Sequence, residues 1–148
     1  MKSLLLLRFL SPLAWLGWPL VRIAAGLLLF AHGFDKVTGG VGGFATFLAS
    51  KGVPAPEVAA WTSALTELVG GACLAIGLFT RPVGAVIAFN MAVALLLSHT
   101  KDLAHVGHGG AGVPAEYPLL LGVIGVAAAF AGAGRLSVDA CTGRPPAA

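Results

Sequence analysis

The chain has 148 residues, 57% of them hydrophobic and only 10% charged, with a net charge of +3 and mean hydropathy of +0.92. A soluble domain carries about a quarter charged residues, and its helices keep a polar face that the long apolar runs here lack. The composition thus excludes an ordinary soluble enzyme, and with no basic patch interleaved with aromatics it excludes nucleic acid as a partner.

Residues 1–18, MKSLLLLRFLSPLAWLGW, begin like a signal peptide, with Lys2 and a short apolar stretch. Arg8 interrupts that stretch and no A-x-A-like cleavage site follows, so an uncleaved interfacial lead-in is expected, with Trp15 and Trp18 at headgroup level. A first span runs from about Pro19 to Lys36, and Pro19 suits a helix start because its missing N–H would have no partner there. Within the span, Arg22, Ala25, Leu29, His32 and Lys36 recur at intervals of three and four, one stripe of a helix. Because the stripe gathers Arg22, His32 and Lys36, it is expected to face the bundle interior.

The following loop, about residues 38–57, holds GFATFLAS, expected as a short interfacial helix with Phe44, Phe47 and Leu48 toward lipid. The second span, Val58 to Phe79, carries a single carboxylate, Glu67. An ionisable group at the bilayer centre costs roughly 2.5 kcal/mol or more, which marks Glu67 as a functional-site candidate needing a partner. Thr80, Arg81 and Pro82 read as a tight turn, making the second and third spans antiparallel neighbours. The third span runs from Val83 to about His99 and the fourth from Glu116 to about Ala133, separated by a glycine-rich polar loop. Each later span has a face of small residues that lets backbones approach in lipid: Gly70, Gly71 and Gly77; Gly84, Ala88 and Ala92; Gly122, Gly125, Ala129 and Gly132. The expected fold is an all-α, integral membrane four-helix bundle over residues 19–133, with residues 134–148 as a cytoplasmic tail.

Orientation follows from the placement of Lys and Arg. Lys2, Arg8, Arg81, Arg135 and Arg144, with Arg22 nearest the same side, outnumber Lys36, Lys51 and Lys101 on the other. Both termini are therefore expected in the cytoplasm. In that arrangement His32, Lys36, Glu67, His99 and Glu116 share the outer half of the bilayer, brought there by four different helices.

Glu67 with Lys36 or Arg22 has two readings: a structural ion pair that fixes helix register, or a carboxylate that handles protons or binds a ligand. His32 and His99 on facing helices would suit bis-His haem, but so small and tight a bundle leaves little room for the macrocycle, and haem is not expected. A quinone carbonyl needs only a His or Lys donor and an apolar slot. His99, His105 and His108 form H-x5-H-x2-H, a weak copper or zinc pattern; solvated loop histidines are the plainer account, and no metal is assigned. Cys73 and Cys141 give no disulfide framework. No phosphate loop, dinucleotide fingerprint or Ser/His/Asp spacing is present.

These residues together resemble the DoxX family of small four-helix membrane proteins, which is similar to the DoxD subunit of thiosulfate:quinone oxidoreductase. R-x3-G and H-G-x2-K stand as Arg22, Gly26, His32, Gly33 and Lys36. E-x2-G-G-x2-L-x2-G-L-x-T-R runs from Glu67 to Arg81, and G-x-G-R-L-S-V-D from Gly132 to Asp139. The resemblance implies a multi-pass bacterial inner-membrane protein linked to redox or thiol-stress systems, acting with a soluble or membrane partner protein.

The expectation is thus a membrane subunit of a quinone-linked redox complex. Glu67, His32 and Lys36 would do the chemistry, and Arg22, His99 and Glu116 would bind or orient the ligand. The alternatives are a non-catalytic anchor for a partner protein and a small transporter or metal-handling protein. Whether the chain forms a homo-oligomer is left open.

Overall fold

The computed structural model describes residues 8–98 and 115–142. A run of 3-10 helix, Arg8–Leu16, leads directly into α1 (Gly17–Thr38), followed by α2 (Val41–Ser50), α3 (Pro56–Ile76), α4 (Thr80–Ser98), α5 (Glu116–Ala131) and the single turn α6 (Val138–Cys141). No strand occurs among the described residues. The stretches Ser11–Thr38, Pro56–Ile76 and Thr80–Leu97 are long and apolar enough to cross a membrane. Helix α5 is apolar but has 16 residues, about 24 Å at the 1.5 Å rise per residue. The protein is an all-α membrane bundle.

Two antiparallel helix pairs make up its framework, α1 on α3 and α4 on α5, with α3 and α4 joining them. Glycine determines both pairings. Gly33 lies against the Leu68 backbone and Gly26 against that of Ala75, while a Cβ at Gly71 would stand 2.5 Å from the Phe30 amide nitrogen. On the other pair, a Cβ at Gly84 would stand 2.6 Å from the Gly125 carbonyl oxygen. In lipid no hydrophobic force draws helices together, so such close backbone contact is what holds a pair. Between the pairs lies a core of Ala25, Leu29, Leu74, Ile87, Met91, Leu121 and Ala128.

The junction between α3 and α4 is Gly77 to Phe79, three residues earlier in the chain than the expected turn. Thr80, Arg81 and Pro82 are the first turn of α4, not a loop. Gly77, at φ 71°, closes α3, with its own N–H on the Leu74 carbonyl and the Leu78 N–H on the Cys73 carbonyl. That is a Schellman end, which requires a residue tolerant of the left-handed conformation.

Three further expectations are corrected. The segment after α5 does not trail away through its described part: residues 134–142 fold back onto the bundle and end in α6. Trp18 is not simply a headgroup anchor, since its indole nitrogen donates to the Gly132 carbonyl at 2.7 Å. Helix α2 also turns Leu48 and Phe44 inward, while Phe47 stays exposed. Leu48 is buried with Val41 and Ala45 against Ala60 and Ala64 of α3, and Phe44 packs on the same cluster. The face that carries Val41, Phe44, Ala45 and Leu48 is the one that meets α3.

Candidate functional site

Because Gly33 seats the α1 backbone on α3 at Glu67 and Leu68, the side chain one turn further along α1 is directed down the same seam. That side chain is Lys36. Its ammonium donates to Glu67 Oε1 at 2.5 Å, with the Lys36 side chain 29% exposed and that of Glu67 5% exposed. The ammonium also lies 4.8 Å from the centre of the Phe44 ring, a cation–π contact. Glu67 Oε2 is buried and has no hydrogen-bond partner among the described residues. Half of the carboxylate is satisfied and half is not.

That pair forms part of the wall of a cavity of about 570 Å³, within the range of ligand pockets. Phe44, Phe47 and Leu48 of α2, Thr62 and Thr66 of α3, and Val86, Phe89 and Asn90 of α4 contribute to it, as do His32 and Tyr117. The lining is mostly apolar, with the polar groups few and convergent. Two more of them are orphaned: the Asn90 amide nitrogen and the Tyr117 hydroxyl are buried without a partner among the described residues. Phe89 and Val86 are at once lining residues and outward-facing ones, Phe89 being 72% exposed. The cavity therefore opens sideways, on the face that an apolar span turns to lipid.

His32 stands at the rim rather than inside. It is exposed, stacks on the Tyr117 ring at 4.2 Å between centroids, and its Nδ1 lies 2.9 Å from the Leu28 carbonyl. A carbonyl only accepts, so Nδ1 carries the proton and the lone pair of the neutral ring is on Nε2. The stripe that joined His32 to Arg22 and Lys36 in sequence drifts by this point, and Gly33 takes the buried position instead.

Arg22 does not join the cavity. It is fully buried near the opposite end of α1, where its guanidinium donates to the carbonyls of Leu74, Ala75 and Leu136. Asp139 provides the compensating charge nearby. The Asp139 carboxylate accepts from the Phe79 and Thr80 amides at 3.0 and 2.9 Å, capping α4, and the Asp139 N–H donates to the Gly77 carbonyl at 3.0 Å. Arg22 and Asp139 thus clamp the ends of α1, α3 and α4 and the returning segment. Glu116 is exposed in the first turn of α5, where a carboxylate suits the helix dipole, and is not part of the lining. His99, His105 and His108 lie outside the described residues. Among the described residues no three His, Cys, Asp or Glu side chains converge as a metal set would.

Of the six residues singled out from sequence, His32, Lys36 and Glu67 therefore meet at one cavity. Sequence reasoning missed Asn90 and Tyr117. The signal was available in both cases: a lone amide within an apolar span, and the single tyrosine of the chain at the start of another.

Comparison with known proteins places the chain in a family. The chain matches the DoxX family over residues 17–100. It is 31% identical over 124 residues to "Putative oxidoreductase CatD" of Bacillus subtilis (strain 168), covering 84% of this chain and 85% of that protein. It is also 31% identical over 85 residues to "Inner membrane protein YphA" of Escherichia coli (strain K12), covering 57% of this chain and 60% of that one. No solved structure matches. The chain belongs to the DoxX family.

Proposed function

We propose that the protein is the membrane subunit of a quinone-linked redox complex of the bacterial inner membrane, with both termini in the cytoplasm. In this reading the cavity beside Glu67 takes a lipophilic, polar-headed ligand from the bilayer. The observation that carries it is the combination, among the residues lining one cavity, of a half-satisfied carboxylate and two orphaned polar groups. Buried polar atoms without partners are uncommon in native proteins, and each calls for an explanation. The oxidoreductase name of the Bacillus subtilis relative and the inner-membrane name of the Escherichia coli one support the setting.

The residues present fit the head of a quinone–hydroquinone couple. Asn90 and Tyr117 would hold it by hydrogen bonds, and the apolar wall of Phe47, Leu48, Val86 and Phe89 would take the ring substituents or tail. When bound, a quinone supplies two-electron, two-proton chemistry. Glu67 Oε2 would accept or relay a proton there, while Lys36 stays hydrogen-bonded to Oε1. Lys36 also reaches the rim, giving that proton a route toward water. His32, with its Nδ1 proton engaged by Leu28, would orient Tyr117 through their stacked rings. Electrons would pass to a partner protein.

The test is to purify the protein in detergent, extract it for bound quinone and record the absorbance spectrum. Retained quinone that is lost in folded Glu67→Gln or His32→Ala supports the reading. One observation favours a second reading, a non-catalytic anchor for a partner protein: Lys36 and Glu67 already form a short ion pair. A colourless, quinone-free protein with unchanged partner activity in both variants puts the anchor ahead.

A further inference from the structure

Three residues that line the cavity, Glu67, Asn90 and Tyr117, each carry a buried polar atom without a partner among the described residues, and the three differ in what they ask of an occupant. Glu67 Oε2 belongs to a carboxylate whose other oxygen is held by the Lys36 ammonium, so it can only accept. The Asn90 amide nitrogen can only donate, and the Tyr117 hydroxyl can do either. The Nδ1–H of His32 at the rim is already engaged by the Leu28 carbonyl. An occupant offering only carbonyl oxygens would suit Asn90 and Tyr117 but would leave Glu67 Oε2 buried against another acceptor. A hydroxyl both donates to a carboxylate and accepts from an amide or phenol, and it is the smallest group that meets all three demands.

We infer that the cavity selects a hydroxyl-bearing aromatic head, so that within the quinone reading the reduced, hydroquinone form is the one preferred. Glu67 is the residue that reads the O–H, through a charge-assisted hydrogen bond. Asn90 and Tyr117 position the oxygen that carries it, from α4 and α5 respectively. The apolar rim formed by Phe47, Val86 and Phe89 admits the ring from the lipid side. This inference rests on the ligand-binding reading of the cavity and adds to it the hydrogen-bonding sense of the ligand. A hydrogen bond to a charged group is the stronger kind, and its loss is worth on the order of ten- to hundredfold in affinity.

The experiment uses the full chain in nanodiscs, with protein-free nanodiscs as the blank, under anaerobic conditions. Equilibrium dialysis measures the binding of three probes that share one ring: tetramethylhydroquinone, its dimethyl ether and tetramethylbenzoquinone. The expected order is hydroquinone tighter than either of the others by about tenfold or more. Equal binding of all three, or tighter binding of the quinone, overturns the inference while leaving the cavity a ligand site. Binding of none overturns both the inference and the function proposed above. The comparison needs no substitution and so does not depend on a variant folding. Asn90→Leu and Tyr117→Phe then each lower hydroquinone affinity severalfold, and unchanged affinity in both removes them as positioning residues.

Discussion

Lys36 and Glu67 are 31 positions apart in the chain, yet their charged atoms stand 2.5 Å from one another across the seam of α1 and α3. The two partners are unequally sheltered, with Lys36 29% exposed and Glu67 5%. Removing the lysine strands a buried carboxylate, whereas removing the carboxylate leaves an ammonium that can reach toward water. Lys36→Met should destabilise the protein by roughly 3 kcal/mol and Glu67→Gln by about 1 kcal/mol. Combining the two should recover most of the loss. Thermal unfolding in detergent checks the order, and equal losses in the two single variants would contradict it.

Glycine at the helix seams should be irreplaceable, and glycine at an open helical position such as Gly42 should not be. A methyl group at Gly33 meets the Leu68 backbone and one at Gly71 meets that of Phe30, neither of which can yield without moving a helix. Gly33→Ala or Gly71→Ala should cost about 2–3 kcal/mol through overpacking. Gly42→Ala, with nothing within 4 Å of the added methyl in α2, should be neutral or gain up to about 1 kcal/mol. Folded yield by size-exclusion chromatography distinguishes the two classes.

Arg22 and Asp139 should behave as structural residues. Lysine cannot reproduce the fork that holds Leu74, Ala75 and Leu136 together, so Arg22→Lys should destabilise by about 2–4 kcal/mol through the carbonyls it leaves unpaired. Asp139→Ala removes the cap of α4 and should cost about 1–2 kcal/mol. Ligand affinity per folded molecule should be unchanged in both, measured by the same dialysis. A selective loss of affinity in Arg22→Lys would return that residue to the site.

The two cysteines report on orientation. Cys141 is exposed in α6, while Cys73 is half-buried within the α3 span. With the C-terminal segment on the cytoplasmic side, a membrane-impermeant maleimide should label inverted vesicles at Cys141 and leave right-side-out vesicles unlabelled. Cys141→Ser should abolish the signal. Labelling from the outside would reverse the topology proposed here.

The spans and the cavity-lining half of α1 were legible because lipid imposes simple rules. Apolar length finds the helices, and a lone carboxylate among them demands a partner. Arg22 was grouped with His32 and Lys36 because it shares their stripe, although its place near the start of α1 sets it at another depth. It lies 14 residues, about 21 Å of helix, from Lys36. The role of Asp139 was hidden for a different reason, since its capping partners are 59 and 60 residues away. No local pattern encodes such a contact. Asn90 was legible as an amide in an apolar span, but its direction depends on which neighbour α4 meets. Likewise Phe44 and Leu48 showed an apolar face, and only the presence of α3 decides that this face is not lipid's.

The glycine seams also determine where the molecule can give. Within each helix pair, backbone rests on backbone, so neither partner can slide or roll without collision. Between the pairs the contact is made by side chains, as where Gly70 faces the ordinary van der Waals surface of Ile87. The protein therefore behaves as two stiff blades pinned at one end by Arg22 and Asp139, with its compliance concentrated along the edge that borders the cavity. A pulling force, a thinner bilayer or a docked neighbour would do the same thing to it. Each would change the gap between the blades and leave the blades intact.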